Sequence, residues 1–301
     1  MRNGVMQICL APFLCEKFSP FLQENCFNCC IFVIGYINNF NTMRRLLILA
    51  GFNLFFFFIG FAIEPFRFAF FTDLHISVLK PQNADDLKLV VDDVNKDGKF
   101  AFVLIDGDDS DLGDTISLKI AKNILSDLKI PYYITSGNHD TKQGEIGSTN
   151  FIRVFGNDKF SFISNGYKFI GFPTGPVIAH QKGHIKKEDL DFVKSELKLT
   201  DPKIPVFLVT HYPLLEGDID NRLDLIDILH VYKVKAVLGG HYHRNVLLNY
   251  DEIPGIVNRS VLRVNQPAAG YSIYSISDSL KVSEKNIGHP EINWLTLPLQ
   301  N

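Results

Sequence analysis

Cysteine is missing from most of this sequence, because all five cysteines precede position 31. A disulfide framework is therefore excluded for the rest of the chain. Cys26 and Cys29 have a C-x-x-C spacing, but no second cysteine pair follows and the first histidine is His75. A thiolate zinc site or a redox motif is therefore poorly supported.

An excess of charge of one sign is also missing. The net charge is −3 over 301 residues, which gives no strong nucleic-acid signal. Internal repeats and low-complexity linkers are missing too, and the length suits one large globular domain. We predict that this domain spans residues 63–301.

A long apolar run from Leu46 to Ile63 follows Met43-Arg44-Arg45. A basic start, an apolar segment and the small residues of Gly60-Phe61-Ala62 predict a signal peptide over 43–62, cleaved after Ala62. The protein is then exported, to a periplasmic or extracellular location. The alternative is membrane anchoring through 46–63, since the run approaches the ~20 residues that span a bilayer. Residues 1–42 form an extension upstream of Met43, which we expect to be the true start; the alternative is a second apolar membrane segment.

The domain begins with alternating strands and helices. Short apolar runs predict strands, and apolar residues at helical spacing predict helices. The order is strand 66–72, helix 83–95, strand 100–105, helix 117–128 and strand 131–135. Such alternation argues for a parallel sheet with ligands at the carboxyl ends of its strands.

The pattern then changes. Asn165-Gly166 lies between apolar runs at 161–164 and 167–170 and predicts a hairpin. Helices at 187–197 and 224–232 alternate with strands at 206–210 and 236–238. The tail contains runs that alternate like antiparallel strands, at 246–250, 255–264 and 271–276.

Candidate ligands follow the predicted strands. Carboxylate, amide oxygen and imidazole groups suit Mn, Fe, Zn or Co ions. In extended backbone, residues i and i+2 point the same way, so Asp73 and His75 are expected to face one ion. The stretches are Asp73-Leu74-His75, Gly107-Asp108-Asp109-Ser110-Asp111, Gly137-Asn138-His139-Asp140, His211 and Gly240-His241-Tyr242-His243.

In this order, the set resembles the calcineurin-like metallophosphoesterase superfamily, whose pattern runs D-x-H, G-D-x-x-D, G-N-H-D/E, H, G-H-x-H. The resemblance covers roughly residues 66–280. It implies an α/β fold, a four-layer α/β/β/α sandwich with two central mixed β-sheets. It also implies a cofactor of two divalent metal ions, for which we favour Mn.

The resemblance further assigns roles to residues. One metal is held by Asp73, His75, Asp108 and His243, and the other by Asp108, Asn138, His211 and His241. His139 lies beside the leaving-group oxygen and donates a proton or a hydrogen bond, while Asp111 orients its imidazole from the other nitrogen.

The implied activity is metal-dependent hydrolysis of phosphomonoester or phosphodiester bonds. A bridging carboxylate keeps two ions close, and the paired cations generate a hydroxide that attacks phosphorus in line. The expected substrate is a small phosphate ester or nucleotide-like molecule. The alternative is a metal-binding scaffold of the same fold without turnover, acting as a membrane-tethered or secreted interaction module; the presence of His139 with Asp111 favours the enzyme.

Two positions narrow the choice among the branches of this superfamily. Purple acid phosphatases carry a Tyr at the slot of Asp111, and protein Ser/Thr phosphatases carry an Arg where Leu112 stands. Both are disfavoured, which leaves a resemblance to compact exported bacterial phosphohydrolases near the class III cyclic-nucleotide phosphodiesterases. The sequence predicts neither the natural substrate nor an oligomeric state.

Three further residues receive predictions. Asp109 is expected to be a solvated loop carboxylate, and so is Asp140, with support of the His139 loop as its alternative. Arg259 is expected to be an exposed strand residue, with contact to phosphate as its alternative. The remaining histidines fit no motif position and are expected at the surface or in structural roles: His180, His184, His230 and His289.

Overall fold

The structure of the protein is a computed structural model. It describes residues 64–141, 149–176, 182–232 and 234–299. The predicted extension over 1–42 and the predicted signal peptide or anchor at 43–62 lie outside the described residues. Inside the described ranges, no helix has the length and apolar character needed to cross a bilayer.

Helices and strands alternate through the first half of the domain, as the apolar patterns predict. The helices are α1 (Pro81–Asp97), α2 (Thr115–Leu125), α3 (Thr149–Phe155), α4 (Lys187–Leu199) and α5 (Arg222–His230), with a short 3-10 turn at His139–Thr141. The strands are β1 (Phe66–Phe71), β2 (Phe100–Ile105), β3 (Tyr132–Ile134), β4 (Phe160–Ser164), β5 (Tyr167–Gly171), β6 (Val206–Val209), β7 (Val234–Gly239), β8 (Val246–Tyr250), β9 (Ile253–Val257), β10 (Gly270–Ile276), β11 (Ser279–Asn286) and β12 (Ile292–Pro298).

Two six-stranded mixed sheets form the centre of the domain. The first has the order β12-β11-β10-β1-β2-β3, and the second has the order β4-β5-β6-β7-β9-β8. In the first sheet, β1, β2 and β3 are parallel, while β10, β11 and β12 add in antiparallel fashion. In the second sheet, β5, β6, β7 and β9 are parallel. Parallel strands bring their carboxyl ends to one edge of each sheet, which is where loops can assemble a site.

Aromatic side chains fill the space between the two sheets. Phe68 of β1 stacks on Phe102 of β2 with ring centroids 5.0 Å apart, and it meets Phe169 of β5 edge-on at 5.5 Å. Helices α1 and α2 cover the outer face of the first sheet. Helices α4 and α5 cover the outer face of the second. The predicted four-layer α/β/β/α sandwich is therefore confirmed.

The Asn165-Gly166 hairpin is also confirmed, since β4 and β5 pair antiparallel around it and both residues have positive φ, 48° and 80°. The predicted strand at 255–264 is wrong in extent, because β9 ends at Val257. The tail pairs antiparallel between β8 and β9 as expected, but β9 also runs parallel to β7. Helix α3 and strands β11 and β12 were not predicted.

Candidate metal centre

Loops at the carboxyl ends of β1, β2, β3, β6 and β7 converge on one point. The Asp73 amide donates to the carbonyl of Gly107 at 3.1 Å, and the His75 amide donates to the carbonyl of Asp108 at 2.8 Å. These two bonds fasten the first loop to the second. The motif residues that the sequence spreads over 73–243 therefore lie side by side.

Unusual backbone conformations accompany this convergence. Asp73, His75, Asp108, His241 and His243 all have φ between 43° and 70°, a left-handed region that residues with a side chain seldom occupy. The expectation of extended backbone at Asp73 and His75 is therefore wrong, since both residues have positive φ, although their side chains do lie together. Strained residues of this kind cluster at functional sites, where the surrounding structure holds them in place.

The first cluster joins the D-x-H motif to the last histidine of the chain's G-H-x-H motif. The Nε2 atom of His243 lies 3.1 Å from Oδ1 of Asp73 and 3.1 Å from Nε2 of His75. Nε2 of His75 lies 3.7 Å from Oδ1 of Asp73. Ligand atoms of these three residues all lie within 4.8 Å of one another, so they could hold one metal ion.

The second cluster contains Asp108, His211 and His241, whose ligand atoms meet the same 4.8 Å criterion. Nε2 of His211 lies 3.3 Å from Oδ2 of Asp108 and 3.1 Å from Oδ1 of Asn138. His211 is completely buried. The structure thus brings the four residues expected around the second ion to one place.

Asp108 belongs to the second cluster and also reaches the first. Its Oδ2 atom is 3.7 Å from Nε2 of His75 and 3.3 Å from Nε2 of His211. Its Oδ1 atom accepts a hydrogen bond of 2.7 Å from the His139 amide. One carboxylate oxygen therefore faces both histidines while the other fixes the loop that carries His139.

Charges in the centre favour bound cations. Burial opposes ionisation of Asp73, but His243 and His75 lower the pKa of its carboxyl well below the usual range. Burial alone would lower the pKa of His75, yet Asp111 and Asp73 raise it to about 9. Burial likewise opposes the charged form of His211, and Asp108 overcomes it and raises that pKa well above its usual value. The same carboxylate field that attracts these protons attracts metal ions.

The residues present also fit a metal in their bonding. Oδ1 of Asp73 is buried and makes no hydrogen bond of regular geometry among the described residues, although histidine nitrogens of both clusters surround it at 3.1–4.0 Å. Buried polar atoms are normally satisfied. Carboxylate, amide and imidazole groups are the ligands that divalent transition metals take.

Asp111 contacts the His139 imidazole through its backbone carbonyl and not, as expected, through its carboxylate. Nδ1 of His139 lies 2.8 Å from the backbone carbonyl of Asp111, whereas the Asp111 carboxylate is 3.7 Å away. That carboxylate instead pairs with Nζ of Lys80 at 2.9 Å and faces Nδ1 of His75 at 3.6 Å. Hydrogen bonding to His75 and Lys80 holds the pKa of Asp111 below its usual range. Nε2 of His139 is directed towards the centre, 3.9 Å from Oδ2 of Asp108.

Two carboxylates expected in solvent are buried. Asp109 and Asp140 are both fully inaccessible, so the prediction of solvated loop residues is wrong. Asp140 accepts hydrogen bonds from the amides of Gly137, Asp109 and Ser110 at 2.9–3.1 Å. The alternative prediction for Asp140, that it supports the His139 loop, agrees with these hydrogen bonds. The sequence signal was the motif position itself, directly after Asn138-His139.

Arg259 is buried, and its guanidinium is bonded to protein groups. Only 1% of it is accessible, and its guanidinium donates to the carbonyls of Ser260, Leu262 and Ala268. It also donates to Oδ1 of Asn286 at 2.7 Å. Arg259 therefore holds the loop after β9 together, and the prediction of an exposed strand residue is wrong.

Sequence reasoning missed several supporting groups. The Asn83 amide donates to the carbonyl of His75 at 2.7 Å, and the Thr72 hydroxyl donates to Oδ2 of Asp73 at 2.7 Å. Burial raises the pKa of Asp106 to about 7, although it lies beside His211. Thr72 and Asp106 adjoin motif residues, so their position in the chain could have indicated a supporting role. Nothing in the sequence around Asn83 indicated one.

A cleft of about 280 Å³ opens next to the first cluster. His75 and His243 of the first cluster line it, and so do the charged side chains of Lys80 and Asp111. The lining residues are His75, Lys80, Asn83, Asp111, His243, Leu262 and Val264.

Comparisons with known proteins connect this chain with a family of phosphoesterases. The family model for calcineurin-like phosphoesterases matches residues 66–245. The mouse serine/threonine-protein phosphatase CPPED1 is 26% identical over 151 residues, which are 45% of this chain and 48% of that protein. A 3',5'-cyclic-nucleotide phosphodiesterase of Nostoc sp. is 29% identical over 151 residues, which are 47% of this chain and 55% of that protein. The chain spans about half the length of these curated relatives.

A solved structure shares the fold. The dimetal phosphatase from Danio rerio has a TM-score of 0.61 and 13% sequence identity, and the match covers 79% of this chain and all of that one. The likeness shows that the architecture described above also occurs in a solved structure.

Proposed function

The chain belongs to the calcineurin-like phosphoesterase family, whose model matches more than half of it, and we propose that it hydrolyses phosphoester bonds at a centre of two divalent metal ions. The observation that carries this proposal is the position of Asp108. One oxygen of its carboxylate lies within 3.7 Å of a histidine nitrogen in each cluster. A shared carboxylate is what joins two metal sites into one centre.

The ligands follow from the two clusters. Asp73, His75, Asp108 and His243 would hold the first ion, and the second would be held by Asp108, Asn138, His211 and His241. Bound ions polarise phosphoryl oxygens and lower the pKa of a water molecule, which supplies the nucleophile at neutral pH. We propose Mn²⁺ as the metal, because carboxylate and amide oxygen ligands accompany the imidazoles.

His139 would act on the leaving group. Its Nδ1 atom is fixed by the Asp111 carbonyl at 2.8 Å, so Nε2 is the nitrogen that remains on the side of the centre. The His139 side chain is partly accessible, at 25%, which lets it reach a bound ester. A protonated imidazole there would donate to the departing oxygen.

The cleft beside the first cluster would receive the organic part of the substrate. Its volume of about 280 Å³ suits a small phosphate ester or a nucleotide-like molecule. Lys80, whose side chain is 56% exposed, would contribute positive charge, while Leu262 and Val264 would contact apolar atoms. Relatives include both a cyclic-nucleotide phosphodiesterase and a protein phosphatase, so either ester class agrees with the comparisons.

The test is hydrolysis of p-nitrophenyl phosphate and bis-p-nitrophenyl phosphate by the full chain, stripped of metal and then supplied with Mn²⁺. We expect turnover only after metal is added, and none from Asp108→Ala. His230→Ala is the control, because His230 lies at the surface, with Nε2 2.9 Å from Oδ2 of Asp251, and the variant should keep full activity. A chain that binds two ions but hydrolyses neither ester would favour the scaffold alternative.

We also propose that the protein is exported with cleavage after Ala62. Support comes from the basic and apolar segments in 43–63. Mass spectrometry of protein recovered from an exporting host should give a mature N-terminus at Ile63. A retained apolar segment in the membrane fraction would instead favour anchoring through 46–63.

A further inference from the structure

The two nitrogens of His211 lie in different surroundings. Nε2 is 3.3 Å from Oδ2 of Asp108 and 3.1 Å from Oδ1 of Asn138, so it faces the proposed second ion. Nδ1 points the other way, into the protein, and has no hydrogen-bond partner among the described residues. The whole residue is inaccessible to solvent.

Asp106 lies on the Nδ1 side. It is completely buried, and neither carboxylate oxygen has a hydrogen-bond partner in the described part of the chain. Its Oδ1 atom is 3.8 Å from Nδ1 of His211. The two groups without hydrogen-bond partners are therefore neighbours, and their separation of 3.8 Å exceeds the roughly 2.7–3.2 Å of an N–H···O hydrogen bond.

The surroundings hold both groups in place. The Asp106 amide donates to the Phe71 carbonyl at 3.3 Å, and the Gly240 amide donates to the His211 carbonyl at 3.1 Å. Gly240 packs directly over the Asp106 carboxylate, since a Cβ atom at that position would lie 2.9 Å from Oδ2. Ends of β1, β2, β6 and β7 thus enclose the pair between the two sheets.

A carboxylate behind a histidine ligand has a known chemical effect. It accepts the N–H of the nitrogen that does not bind metal, which fixes the tautomer and the orientation of the ring. It also increases the basicity of the coordinating nitrogen. In a buried site, a neutral histidine and a carboxylate are each satisfied by this contact.

We propose that Asp106 is a positioning residue for the second metal ion: its carboxylate accepts the Nδ1–H of His211 and directs Nε2 to the ion. This role rests on the two-ion centre proposed above. Asp106 itself would contact neither ion. It differs in this from Asp73 and Asp108, whose carboxylates face Nε2 of His211 at 4.0 and 3.3 Å.

The test compares Asp106→Asn with wild type by calorimetric titration of the metal-stripped full chain with Mn²⁺. The amide keeps the shape of the side chain but loses its charge. We expect one of the two dissociation constants to rise by about 10–100-fold and the other to stay unchanged. Asp109→Asn is the matched control, because Asp109 is equally buried and its oxygens also lack partners among the described residues; both constants should remain those of wild type.

A second measurement reads the tautomer directly and needs no folded variant at this position. Histidine ring nitrogens of the Zn²⁺-loaded wild-type chain are observed by NMR, with His211 assigned through His211→Gln. We expect His211 to carry its proton on Nδ1, slow to exchange with solvent. A proton-free Nδ1 would overturn the proposal, and so would unchanged constants in Asp106→Asn or equal weakening in Asp109→Asn. A wild-type chain that binds no ions would overturn the two-ion centre itself.

Discussion

Asp140 accepts two hydrogen bonds from Ser110, one from its backbone amide and one from its hydroxyl, each 2.9 Å long. This contact fastens the loop after β3 to the loop after β2. The first loop carries Asn138 and His139, and the second carries Asp108. The relative position of these three residues therefore depends on a carboxylate that contacts no metal position itself.

We predict that Asp140→Ala destabilises the fold by roughly 3 kcal/mol or more, since several buried donors lose their acceptor together. Asp140→Asn should cost less, because one oxygen remains. Urea unfolding of the metal-free chain measures both. Asp85→Ala, at an exposed position of α1, should change the free energy of unfolding by less than about 0.5 kcal/mol. A loss for Asp140→Ala as small as that would contradict the role given to Asp140.

Gly240→Ala should impair both stability and metal binding. The new Cβ would overlap the Thr72 hydroxyl and crowd the carboxylates of Asp73 and Asp106, and overpacking of this kind costs roughly 1–3 kcal/mol. Gly217→Ala is the control, since nothing lies within 4 Å of the added atom. Thermal unfolding with and without Mn²⁺ distinguishes the two variants. Equal melting temperatures would show that the space above Asp106 is not restricted.

Metal removal should lower stability. An ion that binds only the folded chain stabilises it by roughly 2.7 kcal/mol at a concentration 100 times its dissociation constant. In a domain of this size each kcal/mol raises Tm by roughly 2–4 °C. Calorimetry after chelation and after reloading with Mn²⁺ measures the difference. Wild type should gain stability on reloading, and Asp73→Ala should gain clearly less.

His139→Ala should separate chemistry from binding. The imidazole is proposed to serve the leaving group and not a metal, so metal content should stay at the wild-type level. General acid catalysis contributes about 10²–10⁴-fold, and kcat for an alkyl phosphate, whose leaving alkoxide is strongly basic, should fall by a factor in that range. An ester with a better leaving group should show a smaller loss. If the variant instead loses metal together with activity, His139 belongs to the ligand set.

Local patterns predicted most of the strands and helices, whereas the sandwich and the set of metal ligands were expectations from the resemblance. The structure has the sandwich and brings most of the expected ligands together. Apolar runs marked β1, β2 and β6, and the motif residues followed them directly. Short, regular elements with one buried face carry their signal in neighbouring residues. The structure then placed the residues at these strand ends together.

Other features depend on contacts distant in the chain. The apolar run at 255–264 continues beyond β9, but the Asn258 side chain donates to the carbonyl of Gly239 at 2.9 Å and the chain leaves the sheet there. Arg259 then turns inward to carbonyls of its own loop. No periodicity distinguishes this arrangement from a longer strand with an exposed arginine.

The burial of Asp109 and Asp140 was missed for a related reason. Aspartate in a loop is usually solvated, and only the approach of the β2 and β3 loops to each other removes these two from water. The contact of His139 with the Asp111 carbonyl, and not its carboxylate, likewise follows from backbone geometry. Strand β12 is the edge strand of the first sheet and has no buried residue, while four of the eight residues of β11 are buried. Polar residues interrupt the apolar pattern of both strands.

The central claim is that Asp108 joins the two clusters into one centre, and electron paramagnetic resonance of the chain loaded with two Mn²⁺ ions tests it most directly. Ions that share the Asp108 carboxylate should give the spectrum of an exchange-coupled pair. Asp108→Ala should abolish the coupling. A wild-type spectrum of isolated Mn²⁺ ions at the same metal content would contradict the account.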